Sequence, residues 1–405
     1  MNKDKDILRN LAGQVAEIAA LPIQEEKRDQ WRKLNSLKPE RPMVMIDQVC
    51  WNEMNVDDML TLRCENKELR EMEFILRKRL YQSKYFPADS VMDSFIIIEK
   101  SITGMNFGIS NEEHTLATDN TNGVVSHSYI NQFTSLEDLE KIKFPIVKHD
   151  EKETARRLAM AQEIFDGLLE VRSEGPATYL SVWDPIAMWM GVEGALYSLI
   201  DQPDLMFALA KKMVDGYMIG LDQLEALNLL EGPQSLIHCT GAWTDELPQE
   251  LKSPWSTKDI WMFGLAQMLS TVSPSMFEEF EIEISMPLFE RFGLVYYGCC
   301  DPLDRKMDQV RRIPNLRKVS MSPWTDKSLG ASQIGSDYVY SFKPNPAFLV
   351  EYDEDVIRKD LRETLEICKR YNCPVELILK DISTVKYKPE RLWRWAQIAM
   401  EEVNK

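Results

Sequence analysis

Apolar runs of strand length alternate with helical segments along most of this chain, and this alternation restricts the possible folds more than any other feature. Strands that are joined through helices form parallel sheets, so the pattern predicts an α/β protein. The strand-like runs are Pro42–Trp51, Asp89–Ile98, Ala177–Trp183, Ser235–Thr240, Leu294–Tyr297, Lys318–Met321, Tyr338–Phe342 and Val375–Leu379.

The number of these runs favours a closed barrel over an open sheet. The chain carries no glycine-rich phosphate loop of the dinucleotide or P-loop kind, which an open doubly wound sheet often has. Residues 1–40 show the apolar spacing of an amphipathic helix, and Pro22 ends its first stripe. We therefore predict an N-terminal helical extension over residues 1–40 and a single (β/α)8 barrel over residues 41–405.

Charge and cysteine usage exclude several classes of partner. The formal net charge is -17, which repels phosphate backbones and anionic lipid, so neither nucleic acid nor a membrane is expected as a partner. No apolar run approaches the length that a membrane-spanning helix needs. The 7 Cys residues are irregularly spaced and no signal peptide is recognisable, which indicates the reducing cytoplasm.

Aromatic and charged residues are concentrated where the predicted strands end, and a barrel carries its chemistry at that edge. Trp51, Trp183, Trp243 and Trp324 all lie near such ends, where they could form the wall of a pocket for an aromatic substrate or belong to the core. Lys343 follows another strand and could bind a substrate carboxylate or form an internal ion pair.

Two adjacent pairs, His238–Cys239 and Cys299–Cys300, contain residue types that bind metal ions. Successive residues of a regular strand point to opposite faces, so each pair offers at most one ligand to a common site. A small buried hydrophobic role remains the alternative for each of these cysteines, including Cys299.

Several stretches resemble the uroporphyrinogen decarboxylase superfamily, and more narrowly its anaerobic corrinoid-dependent methyltransferases. The resemblance spans residues 40–395 and implies a single (β/α)8 barrel with N-terminal helices. The stretches that carry it are Trp243–Pro248, Phe292–Leu303, Asn315–Trp324 and Ser341–Pro346.

The branches of this superfamily differ in residues that can be compared with this chain. True decarboxylases hold substrate carboxylates with an Arg-rich segment, whereas the matching Ile46–Glu53 has no Arg and two acids, so a polyanionic tetrapyrrole would be repelled. The branch that methylates thiols binds zinc through His and Cys with one residue between them. His238 and Cys239 are adjacent, so that pattern is broken.

A third branch, the first methyltransferase of O-demethylase systems, has a signature of Glu, fourteen residues, Glu, twenty residues and His. Glu231 and Glu246 match the first two positions, and Gln267 stands where the family has His. The resemblance therefore implies a zinc ion held by Glu231 and Glu246, with Gln267 as a weaker third ligand. His238, Cys239, Cys299 or Cys300 could replace it, or the metal could be absent.

The chemistry that this resemblance implies is transfer of a methyl group from a small donor, a methoxylated aromatic compound, to the cob(I)alamin of a separate corrinoid protein. Zinc would polarise the ether oxygen and stabilise the departing phenolate. Without the metal, Asp301 or Tyr297 would have to protonate that oxygen. The alternatives are a methylthiol or methylamine donor, or a barrel that has lost its metal and acts as a binding subunit.

Overall fold

The computed structural model describes residues 2–117, 125–251 and 254–405 of the chain. Two helices precede the first strand, α1 (Asn2–Ala19) and α2 (Pro22–Asn35). The division of the chain into a helical extension and a barrel domain stays a prediction. The other helices are α3 (Lys67–Tyr85), α4 (Glu151–Phe165), α5 (Trp183–Met190), α6 (Val192–Asp201), α7 (Pro203–Ala226), α8 (Pro274–Phe277), α9 (Glu283–Arg291), α10 (Met307–Val310), α11 (Lys327–Ile334), α12 (Glu354–Arg370) and α13 (Glu390–Val403).

A parallel sheet of seven strands forms the centre of the protein, which confirms the predicted α/β class. Its strands are β1 (Met43–Ile46), β8 (Tyr179–Leu180), β11 (Trp261–Gly264), β12 (Leu294–Tyr297), β13 (Leu316–Met321), β14 (Val339–Phe342) and β15 (Val375–Leu379). Their spatial order is β1-β15-β14-β13-β12-β11-β8, and every neighbouring pair is parallel. The carboxyl ends of all seven strands therefore lie at one edge.

The remaining strands form short pairs outside this sheet. One pair is parallel, β2 (Phe95–Glu99) with β7 (Glu170–Glu174). The antiparallel pairs are β3 (Ile102–Thr103) with β6 (Lys148–His149), β4 (Glu113–Ala117) with β5 (Val125–Tyr129), and β9 (Leu236–Ile237) with β10 (Thr240–Gly241).

Two strand predictions need correction. The run 235–240 was expected to form one strand of the parallel sheet, but it forms the β9–β10 hairpin, whose turn is made by His238 and Cys239 at positive φ. Strand β11 was not predicted, because a short continuous apolar run has no alternation that distinguishes it from a buried helical segment.

The two faces of the sheet contact different surroundings, because successive side chains of a strand point to opposite sides. On what we call the helix face, Val44, Ile46 and Tyr297 join the largest apolar cluster of the protein. On the opposite face, which we call the hairpin face, Met43 and Met45 pack with residues from α2 and from the β9–β10 hairpin.

Helices on the helix face show how the sequence directs this packing. Helix α12 begins at the N-cap Asp353, whose carboxylate accepts from the backbone N–H groups of Asp355 and Val356. Its buried side chains, among them Ile357 and Leu361, lie three to four residues apart and form one apolar stripe. Among the described residues, every helix is too short or too polar to cross a lipid bilayer.

Candidate functional site

Polar side chains converge around one sulfur atom at the carboxyl edge of the sheet. Cys299 follows β12, and its Sγ lies 3.0 Å from Lys380 Nζ, 3.5 Å from His238 Nε2 and 3.6 Å from Cys300 Sγ. Lys380 Nζ also donates to Asp381 Oδ2 at 2.6 Å. We call these five residues the Cys299 cluster.

The backbone after β12 is shaped to bring Cys299 into this position. Gly298 has φ +91, and a Cβ atom there would lie 2.5 Å from Leu303 Cδ1, so a side chain has neither the conformation nor the space. The carboxylate of Asp301 accepts a hydrogen bond of 2.9 Å from the Cys299 N–H. Together these features make the turn that carries the thiol.

The charges around Cys299 favour its thiolate form. The hydrogen bond from the Cys300 thiol lowers the pKa of Cys299 well below its ordinary value, and His238 and Lys380 lower it further, against the opposing effect of burial. Burial opposes the charged form of Lys380, but the charge of Cys299 and the bond to Asp381 outweigh it and raise the pKa of Lys380. Burial also lowers the pKa of His238, which favours its neutral form.

A second polar group lies on the hairpin face beside this cluster, and we call it the interior network. It consists of Thr240, Tyr296, Lys318, Ser341, Lys343 and Glu376, all of which are buried. Lys318 Nζ lies 2.8 Å from Glu376 Oε2, and Ser341 Oγ donates to Glu376 Oε1 at 2.6 Å. Lys343 Nζ donates to the same Ser341 hydroxyl at 2.7 Å and to the Tyr296 hydroxyl.

Aromatic rings line the side of the site next to β11 and β12. The His238 ring stacks on Phe263 with 3.7 Å between ring centroids, and the rings of Tyr179 and Tyr296 each lie 5.1 Å from Phe263. The Tyr179 hydroxyl donates to Asp184 at 2.9 Å. A flat aromatic ligand bound next to the Cys299 cluster would therefore have these rings as neighbours.

The predicted zinc ligands are not brought together. Glu231 forms an ion pair with Lys100, which directly follows β2, whereas Glu246 pairs with Arg317 near the beginning of β13. Among the described residues, no three His, Cys, Asp or Glu side chains form a group that could hold a metal ion. The prediction of a zinc site at Glu231, Glu246 and Cys299 is therefore not supported by the geometry.

Gln267 is exposed and is the first residue of the short 3-10 helix Gln267–Thr271, which follows β11. Glu231 instead lines a cavity of about 940 Å³ between α3, α4 and the β2–β7 pair. No residue of the Cys299 cluster lines this cavity. The spacing of Glu231, Glu246 and Gln267 in the sequence therefore does not correspond to a common site. Glu231 lies beside Lys100, Glu246 lies beside Arg317, and Gln267 begins a 3-10 helix after β11.

Tyr297 and Asp301 were predicted as proton donors, and the structure corrects the first. Tyr297 points to the helix face, where its hydroxyl donates to Glu281 at 3.0 Å, while the adjacent Tyr296 occupies the hairpin face. Asp301 is buried in the turn after Cys299, and burial raises its pKa. Its Oδ2 has no hydrogen-bond partner among the described residues.

The predicted tryptophan wall is not formed. Trp183 belongs to the largest apolar cluster and Trp51 packs against it, whereas Trp243 packs with Trp31 in another cluster. Trp324 is 72% exposed. The structure instead shows Tyr179, His238, Phe263 and Tyr296 as the aromatic neighbours of the site. Phe263 was missed because strand β11 was not predicted, and the alternation of side chains along β12 was the only signal for Tyr296.

Lys380 and Asp381 are functional candidates that were not among the predicted site residues. Both directly follow the apolar run of β15, and this position at a strand end was the available signal. Lys343 directly follows β14 and is buried, and its binding role stays a prediction.

Comparison with known proteins identifies a structural relative. A methyltransferase from Methanosarcina mazei has a similar structure with a TM-score of 0.52, over 93% of this chain and 98% of that chain. The two proteins share a fold. Their sequences are only 11% identical, so the likeness does not extend by itself to substrate or cofactor. No protein-family model and no curated protein matches the sequence.

Proposed function

We propose that this protein is a methyltransferase that moves a methyl group from a methoxylated aromatic compound to the Co(I) corrinoid of a separate corrinoid protein. The observation that carries the proposal is the Cys299 cluster with its ammonium and aromatic neighbours at the carboxyl edge of a parallel sheet. The fold shared with a methyltransferase and the sequence motifs of the corrinoid-dependent branch support the same reaction.

We also propose that the sheet closes into a (β/α)8 barrel. At the β1 edge, the Asp89 N–H donates to the Val44 carbonyl at 2.9 Å, and the chain continues from Asp89 into β2. Strand β2 pairs with β7, and β7 is followed at once by β8 at the other edge of the sheet. The segments around β2 and β7 are therefore in position to join the two edges.

Zinc does not fit the donors that the structure brings together. His238 and Cys300 lie within 3.6 Å of Cys299, but the Lys380 ammonium lies 3.0 Å from the same sulfur and competes for it. No group of three suitable donors is present in residues 2–117, 125–251 and 254–405. The proposed reaction is therefore derived without a metal step.

Lys380 supplies the positive charge that the departing oxygen needs. When bound, the corrinoid supplies the nucleophile that attacks the methyl carbon. The phenolate oxygen gains negative charge as the methyl group leaves, and a fixed cation stabilises that charge. The raised pKa of Lys380 keeps it protonated at neutral pH, while Cys299 and Asp381 hold its position.

The cytoplasm is the compartment that suits this proposal. Every cysteine of the chain is a free thiol, and none of Cys299, Cys300 or the other five forms a disulfide. Thiols persist in a reducing compartment.

The decisive experiment is a donor screen with the full-length protein and cob(I)alamin, both free and bound to a corrinoid protein. The visible spectrum reports methylation of cobalt, and methoxylated aromatics, methylthiols and methylamines are compared as donors. We expect methylation with a methoxylated aromatic compound and a loss of about a hundredfold in rate in Lys380→Met. Lys327→Met, whose ammonium pairs with Asp360 on the helix face, is the control. The absence of methylation with every methoxylated donor would contradict the proposal.

A further inference from the structure

The buried lysines of the sheet differ in how their charge is compensated. Lys318 forms an ion pair of 2.8 Å with Glu376, and Lys380 forms one of 2.6 Å with Asp381. Lys343 is 3% exposed and forms no ion pair with a carboxylate among the described residues. Its charge is therefore the least compensated of the three.

The hydrogen-bond partners of Lys343 are neutral. Its Nζ donates to the hydroxyls of Ser341 and Tyr296. Ser341 in turn donates its proton to Glu376, whose other oxygen is engaged by Lys318. The single negative charge of Glu376 is thus shared by two lysines, and the interior network carries an excess positive charge when both are protonated.

The pKa of Lys343 agrees with this excess of positive charge. Burial lowers the pKa of Lys343 to about 8, and the attraction of Glu376, Cys239 and Cys299, opposed by the repulsion of Lys380, only partly restores it. An ammonium has three N–H donors, and the structure shows acceptors for two of them among the described residues. An anionic ligand would supply both the third acceptor and the missing charge.

The surroundings of Lys343 indicate what carries that anion. Tyr296, which accepts from Lys343, belongs to the ring group with Phe263 and His238. Lys380 and Cys299 of the Cys299 cluster act electrostatically on Lys343, and Cys300 and Asp381 of the same cluster are partly exposed to solvent. A flat ring between these groups would contact aromatic side chains while its charged substituent meets the ammonium.

The geometry points to Lys343 as the anchor for the carboxylate of a small aromatic acid, so that the methyl donor is a methoxylated aromatic carboxylic acid. This inference rests on the proposed methyltransferase function and names its substrate class. Lys343 holds one end of the donor, and Lys380, which directly follows the neighbouring strand β15, faces the ether oxygen at the other.

Binding measurements on the full-length protein, without corrinoid and without turnover, test the anchor. The probes are 4-methoxybenzoate and its neutral isostere 4-methoxybenzamide, compared by isothermal titration calorimetry. A charge-assisted hydrogen bond predicts that the acid binds about tenfold to a hundredfold more tightly than the amide. Lys343→Met should abolish this preference, whereas Lys327→Met should retain it.

Three results would overturn the inference: equal affinity of the wild type for acid and amide, no binding of either probe, or a Lys343→Met variant that still prefers the acid. Circular dichroism checks that the variant folds, and the comparison of acid with amide on the wild type decides the question if it does not. Failure of the proposed function is a separate result, since the acid would then bind through Lys343 without any methylation of cobalt in the donor screen.

Discussion

The two faces of the central sheet differ in whether their buried carboxyl group is paired with a cation. The adjacent residues Tyr296 and Tyr297 each contact one of the two faces. On the hairpin face, Tyr296 belongs to a network in which Glu376 is ionised beside Lys318. On the helix face, Tyr297 donates to Glu281, a buried carboxyl that forms no ion pair with a cation among the described residues.

The comparison shows that burial alone does not decide whether a carboxyl group is charged. Burial raises the pKa of Glu376, but Lys318 and Lys343 outweigh it, and the pKa of this group is lowered overall. For Glu281 the same burial is opposed only by hydrogen bonds, and its pKa is raised to about 8. The charged face is the one that carries the candidate site.

The largest effect is expected for Glu376→Gln, which would leave the fully buried ammonium of Lys318 without its carboxylate. Loss of one partner from a buried pair costs about 3–5 kcal/mol, and urea denaturation would measure it as a lower free energy of unfolding. Glu246→Gln is the control, because its ion pair with Arg317 is partly exposed, and its loss should cost less than about 1 kcal/mol. Similar small losses in the two variants would remove the contrast between buried and exposed pairs.

Glu281→Gln tests the neutral carboxyl of the helix face through the pH dependence of stability. The ordinary pKa of the group is 4.5 and its folded value is about 8, so the folded state retains a proton that the unfolded state releases between these values. The stabilisation is fully present below 4.5 and is lost as the pH rises through about 8. The wild type should therefore lose up to about 1.4 kcal/mol per pH unit relative to the variant in urea denaturation across this range. If the stability of the wild type and of the variant changed in parallel with pH, the pKa of Glu281 would not be raised in the folded state.

Gly298→Ala tests the turn that carries the Cys299 cluster. Alanine at this position would have to adopt a positive φ, and its Cβ would clash with Leu303. We therefore expect a loss of about 1–2 kcal/mol in the free energy of unfolding and a changed rate of Cys299 alkylation by iodoacetamide. Gly167→Ala has a similar φ of +75 but nothing within 4 Å of its Cβ, so it reports the backbone strain alone. An equal effect of both changes on the alkylation rate would contradict the special role of Gly298.

The smallest effect on stability separates the two tyrosines themselves. Tyr296→Phe and Tyr297→Phe each remove one buried hydroxyl, and each should cost about 1 kcal/mol. Only Tyr296→Phe should change the affinity for 4-methoxybenzoate, because only Tyr296 accepts from Lys343. A matching change in Tyr297→Phe would show that the faces are not independent.

Sequence patterns predicted the later strands of the sheet well and the earlier ones less well. Runs such as Leu294–Tyr297 and Val375–Leu379 are β-strands with the predicted bounds, because continuous apolar runs between helices suit strands that are buried on both faces. The run 235–240 has a similar composition, but the positive φ of His238 and Cys239 turns it into a hairpin. The amino-acid composition of this run gave no indication of the turn, because the turn is made by His238 and Cys239 rather than by Gly or Asn.

Within the site, the sequence placed Cys299, Asp301 and Lys343 correctly after strand ends but did not assign faces. Tyr297 was predicted as a proton donor because it ends the run of β12, but its hydroxyl lies on the helix face, and the preceding Tyr296 is the tyrosine of the site. The spacing of Glu231 and Glu246 matched a family signature, yet Lys100 and Arg317 engage these carboxylates in separate parts of the fold.

The sequence by itself determined that the chain builds a parallel α/β sheet and that cysteine, lysine and acidic residues follow its strands, because periodicity and position along a strand are local properties. The tertiary structure alone decided that Lys380, His238 and Cys300 surround Cys299, and that Glu376 is shared between Lys318 and Lys343. The physical reason is that charge compensation depends on distances of a few ångströms between residues far apart in the chain, and only the packing of the sheet sets those distances.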